Sequence, residues 1–357
     1  MTAVHNFNAG PSILPKTVFE QASQAILNFN DTGLSILEIG HRTSLFQEVM
    51  DEARTLVKEL MLLDDDHEVL FLHGGASTQF MQVPMNLLDD KETAAYTDTG
   101  VWSTKAIKEA RLFGKVDIVC SSKESNFDFI PKDFAVPNDS KYLHITTNNT
   151  IYGTQWQKIP KTSNSLVADM SSDVLSRVID YNSFDLIYAG AQKNMGAAGV
   201  NLVVVNKHIL GKVKRNIPTI LDYRNHIQEG SMLNTPPVFA VYVCMLTLRW
   251  LKAQGGVTAI EKLNHEKAAL LYAAIDESPL FTGTANKDDR SKMNVCFVMK
   301  DGSMEERFLQ FVKEHGLVGI KGHRLVGGFR ASLYNALPIS SVAVLTELIN
   351  DFSQQHA

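Results

Sequence analysis

A lysine just beyond an apolar run becomes chemically useful when its neighbours are small. Lys193 sits in Ala189-Gly190-Ala191-Gln192-Lys193-Asn194, directly after such a run. Glycine and alanine keep the backbone slim, so a flat ligand can approach closely. A lysine desolvated by these surroundings gives up its proton more readily and can attack an aldehyde. The same segment also suits a solvated surface charge, or a lysine meeting phosphate as a point charge. Asp169 shifts the balance. It ends the preceding apolar run, in Val167-Ala168-Asp169-Met170-Ser171-Ser172. Two adjacent strands then present an acid and a lysine at one sheet edge.

Pyridoxal phosphate requires that pair: a lysine for its aldehyde and a carboxylate for its pyridine nitrogen. A carboxylate that keeps the nitrogen protonated makes the ring an electron sink. For Asp169 a helix N-cap ahead of serines is the competing reading. Gly74-Gly75-Ala76-Ser77-Thr78 follows another apolar run and opens a helix. Its backbone N–H groups and two hydroxyls suit an anion cradle, although a plain tight turn reads the same way. It is neither a GxGxxG fingerprint nor a P-loop. Trp102, after Gly100-Val101, can stack on a flat ring or pack in the core. Thr150, after Asn148-Asn149, can offer a hydroxyl to a phenolate or serve a turn. His41-Arg42, His323-Arg324 and Arg330 are cations in glycine-bounded loops. Singly each suits a solvated charge; together they suit a multiply charged anion.

The elements that must position these residues are legible as periodicities. Val18, Ala22, Ile26 and Phe29, then Leu45, Val49, Ala53, Leu56 and Leu60, recur at helical spacing. Residues 6–11 read as an irregular arm. Strands are expected at 68–72, 93–97, 115–120, 142–146, 166–170, 185–189 and 200–205. Helices are expected at 79–88, interrupted by Pro84, and at 103–112. This alternation implies an α/β fold whose mostly parallel sheet is covered by helices, with ligands bound beyond the carboxyl ends of the strands. After Pro236-Pro237 a helix over 238–253 leads to Gly255-Gly256, where a boundary is expected. Residues 1–255 would form an arm and a large cofactor-binding domain, and 256–357 a smaller α+β domain. That smaller piece would hold a helix over 257–275, a strand over 294–299 and helices over 305–315 and 340–352.

The chain has 357 residues, with 45% hydrophobic and 20% charged, the profile of a soluble globular protein with a sizeable core. Its net charge of −5 and lack of a dense Lys/Arg run give no basis for a nucleic-acid partner. No apolar run reaches the roughly 18–20 residues of a membrane span. Residues 1–8 lack the pattern of a secretory leader, so a cytoplasmic location is expected. Cys120, Cys244 and Cys296 show no metal-ligand spacing and are expected to be buried thiols in a reducing compartment.

Across nearly the whole chain the sequence resembles the phosphoserine aminotransferase family, within the class V, fold-type I, pyridoxal-phosphate-dependent aminotransferases. The resemblance is carried by Asn6-Phe7-Asn8-Ala9-Gly10-Pro11, Glu38-Ile39-Gly40-His41-Arg42 and the Lys193 segment. It continues in residues 230–237, Lys321-Gly322-His323-Arg324 and Gly327-Gly328-Phe329-Arg330-Ala331-Ser332-Leu333-Tyr334-Asn335-Ala336. It implies that Lys193 is the Schiff-base lysine and proton shuttle, and that Asp169 pairs with the ring nitrogen. Trp102 would stack on the ring and Thr150 would reach its oxygen. Ala76, Ser77 and Gln192 would hold the cofactor phosphate, completed by Asn234 and Thr235 of a neighbouring subunit in a homodimer. Ala9 and Arg330 would serve the substrate, with Arg330 on its α-carboxylate. His41, Arg42, His323 and Arg324 would bind its distal anion. No metal is implied.

The activity implied is reversible amino transfer from L-glutamate to 3-phosphohydroxypyruvate, giving O-phospho-L-serine and 2-oxoglutarate in serine biosynthesis. Whether phosphohydroxythreonine, of pyridoxine synthesis, is a second substrate stays open. Some relatives carry Arg where this chain has Ser77, which leaves less formal charge on the phosphate. The alternatives are a serine– or alanine–glyoxylate aminotransferase, whose substrates lack the distal anion, and a non-catalytic phospho-ligand binder of the same fold. A cysteine desulfurase lacks a suitable cysteine, and a nicotinamide oxidoreductase lacks its glycine fingerprint.

Overall fold

The computed structural model describes residues 4–356; Met1–Ala3 and Ala357, which the expected division includes, lie outside the described residues. In chain order the elements are β1 (His5–Asn6), α1 (Lys16–Leu27), α2 (Ser44–Met61), β2 (His67–Leu72), α3 (Gly75–Leu87), β3 (Thr93–Asp98), α4 (Val101–Ala110) and β4 (Lys115–Ser121). Then come β5 (Tyr142–Thr146), the short hairpin β6 (Asn148–Asn149) and β7 (Thr154–Gln155), β8 (Ser165–Asp169), β9 (Leu186–Gly190), β10 (Asn201–Asn206), α5 (Tyr223–Gln228) and α6 (Val238–Ala253). The remainder is α7 (Gly256–Glu277), β11 (Phe281–Gly283), β12 (Asn294–Met299), α8 (Glu305–Glu314), β13 (Leu317–Val318), β14 (Phe329–Ser332) and α9 (Ile339–His356).

The main sheet has seven strands in the order β2-β10-β9-β8-β5-β3-β4. Only β10 runs against the others. Successive side chains of a strand leave on opposite faces, so a buried strand must be apolar on both. Leu166 and Ala168 of β8 pack with α1, α2 and α6, while Val167 packs with α3, α4 and α5. Phe71 and Leu72 of β2 divide the same way. The expected α/β architecture is therefore present. All six like-directed strands end at one edge, and Ala76, Trp102, Thr150, Asp169 and Lys193 stand at or just beyond those ends.

A second, antiparallel sheet, β11-β12-β14, is backed by α7, α8 and α9. Its core centres on Phe308, whose ring meets those of Phe281, Phe329 and Phe352 at 4.8, 5.0 and 5.2 Å, mostly edge to face. Helix α7 serves both cores: Val257 and Ile260 belong to the first, Leu271 and Ile275 to the second.

Four local expectations change. The arm is not wholly irregular, because β1 pairs in parallel with β13 and seats Phe7 in the second core. Two polar residues give no periodicity to read, so tertiary pairing decides that strand. Helix α3 begins four residues earlier than expected and runs through Pro84. Its packing, including Phe80 against Tyr188, outweighs the one backbone bond that proline removes. Phe29 lies beyond the end of α1, in a separate 3-10 turn. Finally, Cys120 is only partly buried, since β4 is an edge strand.

Lys267 of α7 is fully buried and without a counter-ion among the described residues. Its ammonium donates to the carbonyls of Leu333 and Tyr334, both at 2.8 Å, and of Leu337 at 3.3 Å. Burial pushes its pKa down from 10.5 to about 7. Between those values the unfolded chain binds a proton that the folded chain does not, so this residue adds stability as pH rises from about 7 to about 10.5. The expected gain is roughly 5 kcal/mol over that window. Urea unfolding of the native chain and Lys267→Met across that range should show this slope in the former and not in the latter. Parallel profiles would refute it.

Candidate functional site

The site grows from two strand ends in register. In β8, Asp169 pairs with Thr146 of β5 and with Tyr188 of β9. Lys193 follows three residues beyond Gly190, the last residue of β9. The chain turns there instead of entering a helix, and Ala191 N–H donates to the Val200 carbonyl at 3.1 Å. Asp169 is not a helix N-cap. Its Oδ1 accepts the Ser171 N–H at 2.9 Å, a local turn that orients the carboxylate. Ser171 Oγ in turn accepts the Gly190 N–H at 3.1 Å, tying the two strand ends together.

Between these ends lies a cavity of about 310 Å³. Ala76, Ser77, Trp102, Asp169, Gln192 and Lys193 line it, six of the residues expected from the sequence, together with Ser171, Gly190, Gly199 and Val200. Its remaining wall is Gly74-Gly75 at the start of α3. Gly74 adopts φ +90°, and a Cβ there would fall 1.9 Å from Thr78 Oγ1, so only glycine makes this turn. The first N–H groups of α3 have no partner within the helix and face an anion's natural position.

The Lys193 ammonium donates to Thr150 Oγ1 at 2.7 Å and lies 5.5 Å from the centre of the Trp102 ring. Thr150 thus sits at the head of the β6–β7 hairpin with its hydroxyl beside the Lys193 ammonium. Burial pushes Lys193 down to about 8, and the charge of Arg330 pushes the same way against the opposing pull of Asp169 and Asp173. Burial raises Asp169, while its hydrogen bond from Ser171 and the Lys193 charge resist. Each member of the pair therefore holds the other nearer its charged form.

Arg330 stands on β14, and its Nε is buried without a partner. Arg330, Arg324 and Lys105 surround His323 closely enough that, after burial, their charges hold its imidazole below the usual range. Four cations, Lys193, Arg330, Arg324 and Lys105, thus bear on one another around His323 and the Trp102 ring. The arm closes another side. Tyr334 OH donates to the Ala9 carbonyl at 2.9 Å, and Ser12 N–H donates to the Gln192 carbonyl at 3.0 Å.

Four expected residues are not brought in. Asn234 and Thr235 are exposed; Asn234 borders a smaller hollow beyond Gly74, and His73 Nε2 donates to the Thr235 carbonyl at 2.8 Å. His41 and Arg42 precede α2 and make no hydrogen bond or ion pair with the cation group among the described residues. His41 Nε2 is buried without a partner, and Arg42 is exposed. Three contributors escaped sequence reading. Ser171 had a signal, its place two residues after a strand-end carboxylate. Lys105 and Tyr334 had none, since a lysine on a helix and a tyrosine after a strand are ordinary.

A family model described as aminotransferase class-V matches residues 4–345. A phosphoserine aminotransferase of Flavobacterium johnsoniae is 58% identical over 346 residues, covering 97% of each chain. Among solved structures, the phosphoserine aminotransferase from Bacillus circulans subsp. alkalophilus is 40% identical with TM-score 0.97 over 99% of each chain. A pyridoxal-phosphate-bound phosphoserine aminotransferase from Trichomonas vaginalis is 34% identical with TM-score 0.92, over 98% of this chain and 100% of that one.

A near-neutral amine should react early. Trinitrophenylation of the chain, followed by peptide mapping, should label Lys193 with a rate that rises with pH through about 8. Asp169 raises that value, so Asp169→Asn should move the profile to lower pH. A profile at the ordinary lysine value near 10.5 would contradict the burial argument.

Proposed function

The chain belongs to the class-V aminotransferase family, and we propose that it moves the amino group of L-glutamate to 3-phosphohydroxypyruvate, reversibly, giving O-phospho-L-serine and 2-oxoglutarate. The observation that carries this reading is the run of cations leading away from Lys193. It suits a substrate with an anion at each end. The names of the relatives agree with it, and serine biosynthesis is the implied setting. A glyoxylate aminotransferase would leave the outer cations without a purpose.

Pyridoxal phosphate is the cofactor, and its fit rests on the donor set: a buried carboxylate, a near-neutral lysine, an indole and a helix start around one 310 Å³ cavity. When bound it supplies an aldehyde carbon for the amino group and a protonated ring that draws electrons from the substrate Cα. Asp169 would keep the ring nitrogen protonated, and Trp102 would lie against the ring. Thr150 would hold the ring oxygen. Ala76, Ser77 and Gln192 grip the phosphate, and the start of α3 offsets the lack of an arginine at Ser77. Lys193 would hold the cofactor's aldehyde carbon and, once freed by the substrate amine, would carry the proton to and from the substrate Cα. Its depressed pKa leaves the freed amine able to accept that proton. Arg330 holds the substrate α-carboxylate beside Lys193, with Ala9 of the arm closing over it. His323 and Arg324 hold the distal anion.

Asn234, Thr235, His41 and Arg42 act from a second copy in a homodimer. Supporting this, Asn234 and Thr235 lie exposed beyond the cavity mouth. Phe19, Leu27 and Leu37, on and after α1, are also exposed apolar side chains of the kind that interfaces cover. Three free thiols suit the reducing cytoplasm. The proposed division falls at Gly255-Gly256, supported by a first core drawn mostly from residues before it and a second drawn mostly from residues after it, with the start of α7 and Phe7 crossing over.

Activity with 2-oxoglutarate as acceptor should be far higher for phosphoserine than for serine or alanine as donor. Equal rates for all three would sink the proposal, and no turnover with any would favour a non-catalytic binder. Lys193→Ala and Arg42→Ala should each be nearly inactive alone. Unfolding and refolding them together should restore activity if one site draws on two chains. No recovery on mixing would overturn the shared site.

A further inference from the structure

Lys105 is one turn beyond Trp102 on α4, and its ammonium lies 4.6 Å from the centre of the indole. The position is not the one a solvated helix lysine usually takes. Glu109, four residues on, is the natural ion-pair partner on a helix surface. Lys105 forms no ion pair with it or with any other acid among the described residues. The Trp102 ring therefore carries two cations, Lys105 at 4.6 Å and Lys193 at 5.5 Å. Lys193 marks the reacting end, and Lys105 stands on the ring as a second cation whose charge extends to His323. The charge of Lys105 reaches His323 and, with Arg324 and Arg330, disfavours its protonation. No carboxylate among the described residues neutralises this outer group. Positive charge concentrated this way needs an anion, and more so a dianion.

Resting on the substrate reading above, we propose that Lys105 is a specificity-determining residue, the cation that completes the distal-anion site over Trp102 and selects a phosphate monoester over a carboxylate. The physical reason is charge. Near neutral pH a phosphate monoester carries close to two negative charges and three acceptor oxygens, whereas a carboxylate carries one charge. His323 and Arg324 can meet a carboxylate between them. An added ammonium gains about twice as much from the dianion, and its three rotatable donors suit an oxygen that a planar guanidinium does not reach. Lys105 is exposed on its helix, so its replacement does not disturb a core.

The test is steady-state kinetics of the cofactor-loaded enzyme, with phosphoserine and glutamate as alternative donors. Lys105→Met should raise KM for phosphoserine by roughly tenfold and KM for glutamate by much less, with the loss in KM and not in kcat. Lys105→Arg should recover most of the selectivity, and Lys105→Glu should penalise phosphoserine further. Added salt should narrow the gap between the native chain and Lys105→Met. Equal KM increases for both donors, or no change in either, would overturn the proposal. The two readings separate cleanly. If the native chain fails to prefer phosphoserine over serine, the substrate assignment falls and this inference with it. If the native preference stands and Lys105→Met keeps it, only the role of Lys105 falls.

Discussion

The structure depends on one electrostatic arrangement: a carboxylate and an amine, both withdrawn from water, on the ends of neighbouring parallel strands. Burial alone would neutralise both Asp169 and Lys193. Each instead restrains the shift of the other, and the lysine settles at about 8. Such an amine is charged often enough to be held and free often enough to react. The sheet makes this possible at little local cost. Parallel strands are mostly apolar along their length, so charged groups stand where the strands end.

Holding that pair to the substrate cations requires more than the sheet. Asn194 follows Lys193, and its Nδ2 donates to the Val174 carbonyl in the turn after Asp169, at 2.5 Å. Its Oδ1 accepts the Asn335 N–H at 2.9 Å, five residues past Arg330. Asn335 Nδ2 returns to the Leu175 carbonyl, and Asn264 of α7 bridges Ser176 and Asn335 at 3.0 and 2.9 Å. Three buried amides thus join the Asp169 turn, the Lys193 turn and the strand carrying Arg330. Lys267, one turn further along α7, binds the carbonyls of the same 333–337 segment. The second core is therefore fastened to the chemistry by polar groups, each of which would be costly to bury alone.

Much of this was legible in the sequence, for physical reasons that differ by element. Strands such as Tyr142–Thr146 and Asn294–Met299 matched because burial on both faces leaves a mostly apolar run. Lys193, Asp169 and Trp102 were legible because a functional residue on this fold must follow a strand, and each does. The strand His5–Asn6 was not, because its pairing with Leu317–Val318 spans the chain and leaves no local pattern. Pro84 misled because local propensity counts a lost hydrogen bond and cannot count the packing of α3. Cation convergence was the largest gap. Arg330 and His323 look like any loop charges until β14 and the turn before it bring them together.

That convergence also explains a feature of composition that is otherwise indifferent. The chain is acidic overall, at −5, yet the charges of Lys105, Arg324 and Arg330 all bear on His323, and no ion pair among the described residues neutralises them. Local excess against a global deficit concentrates the field where anions enter, because the low-dielectric walls of a cleft keep it from spreading. It also costs the unliganded fold, since four cationic groups repel one another. His323 relieves part of that cost by holding its proton less tightly, and an arriving dianion restores the proton's hold. Anion binding and His323 protonation are thereby coupled. The same pocket can present more positive charge to a phosphate than to a carboxylate, which is what one site must do to serve two substrates of unequal charge.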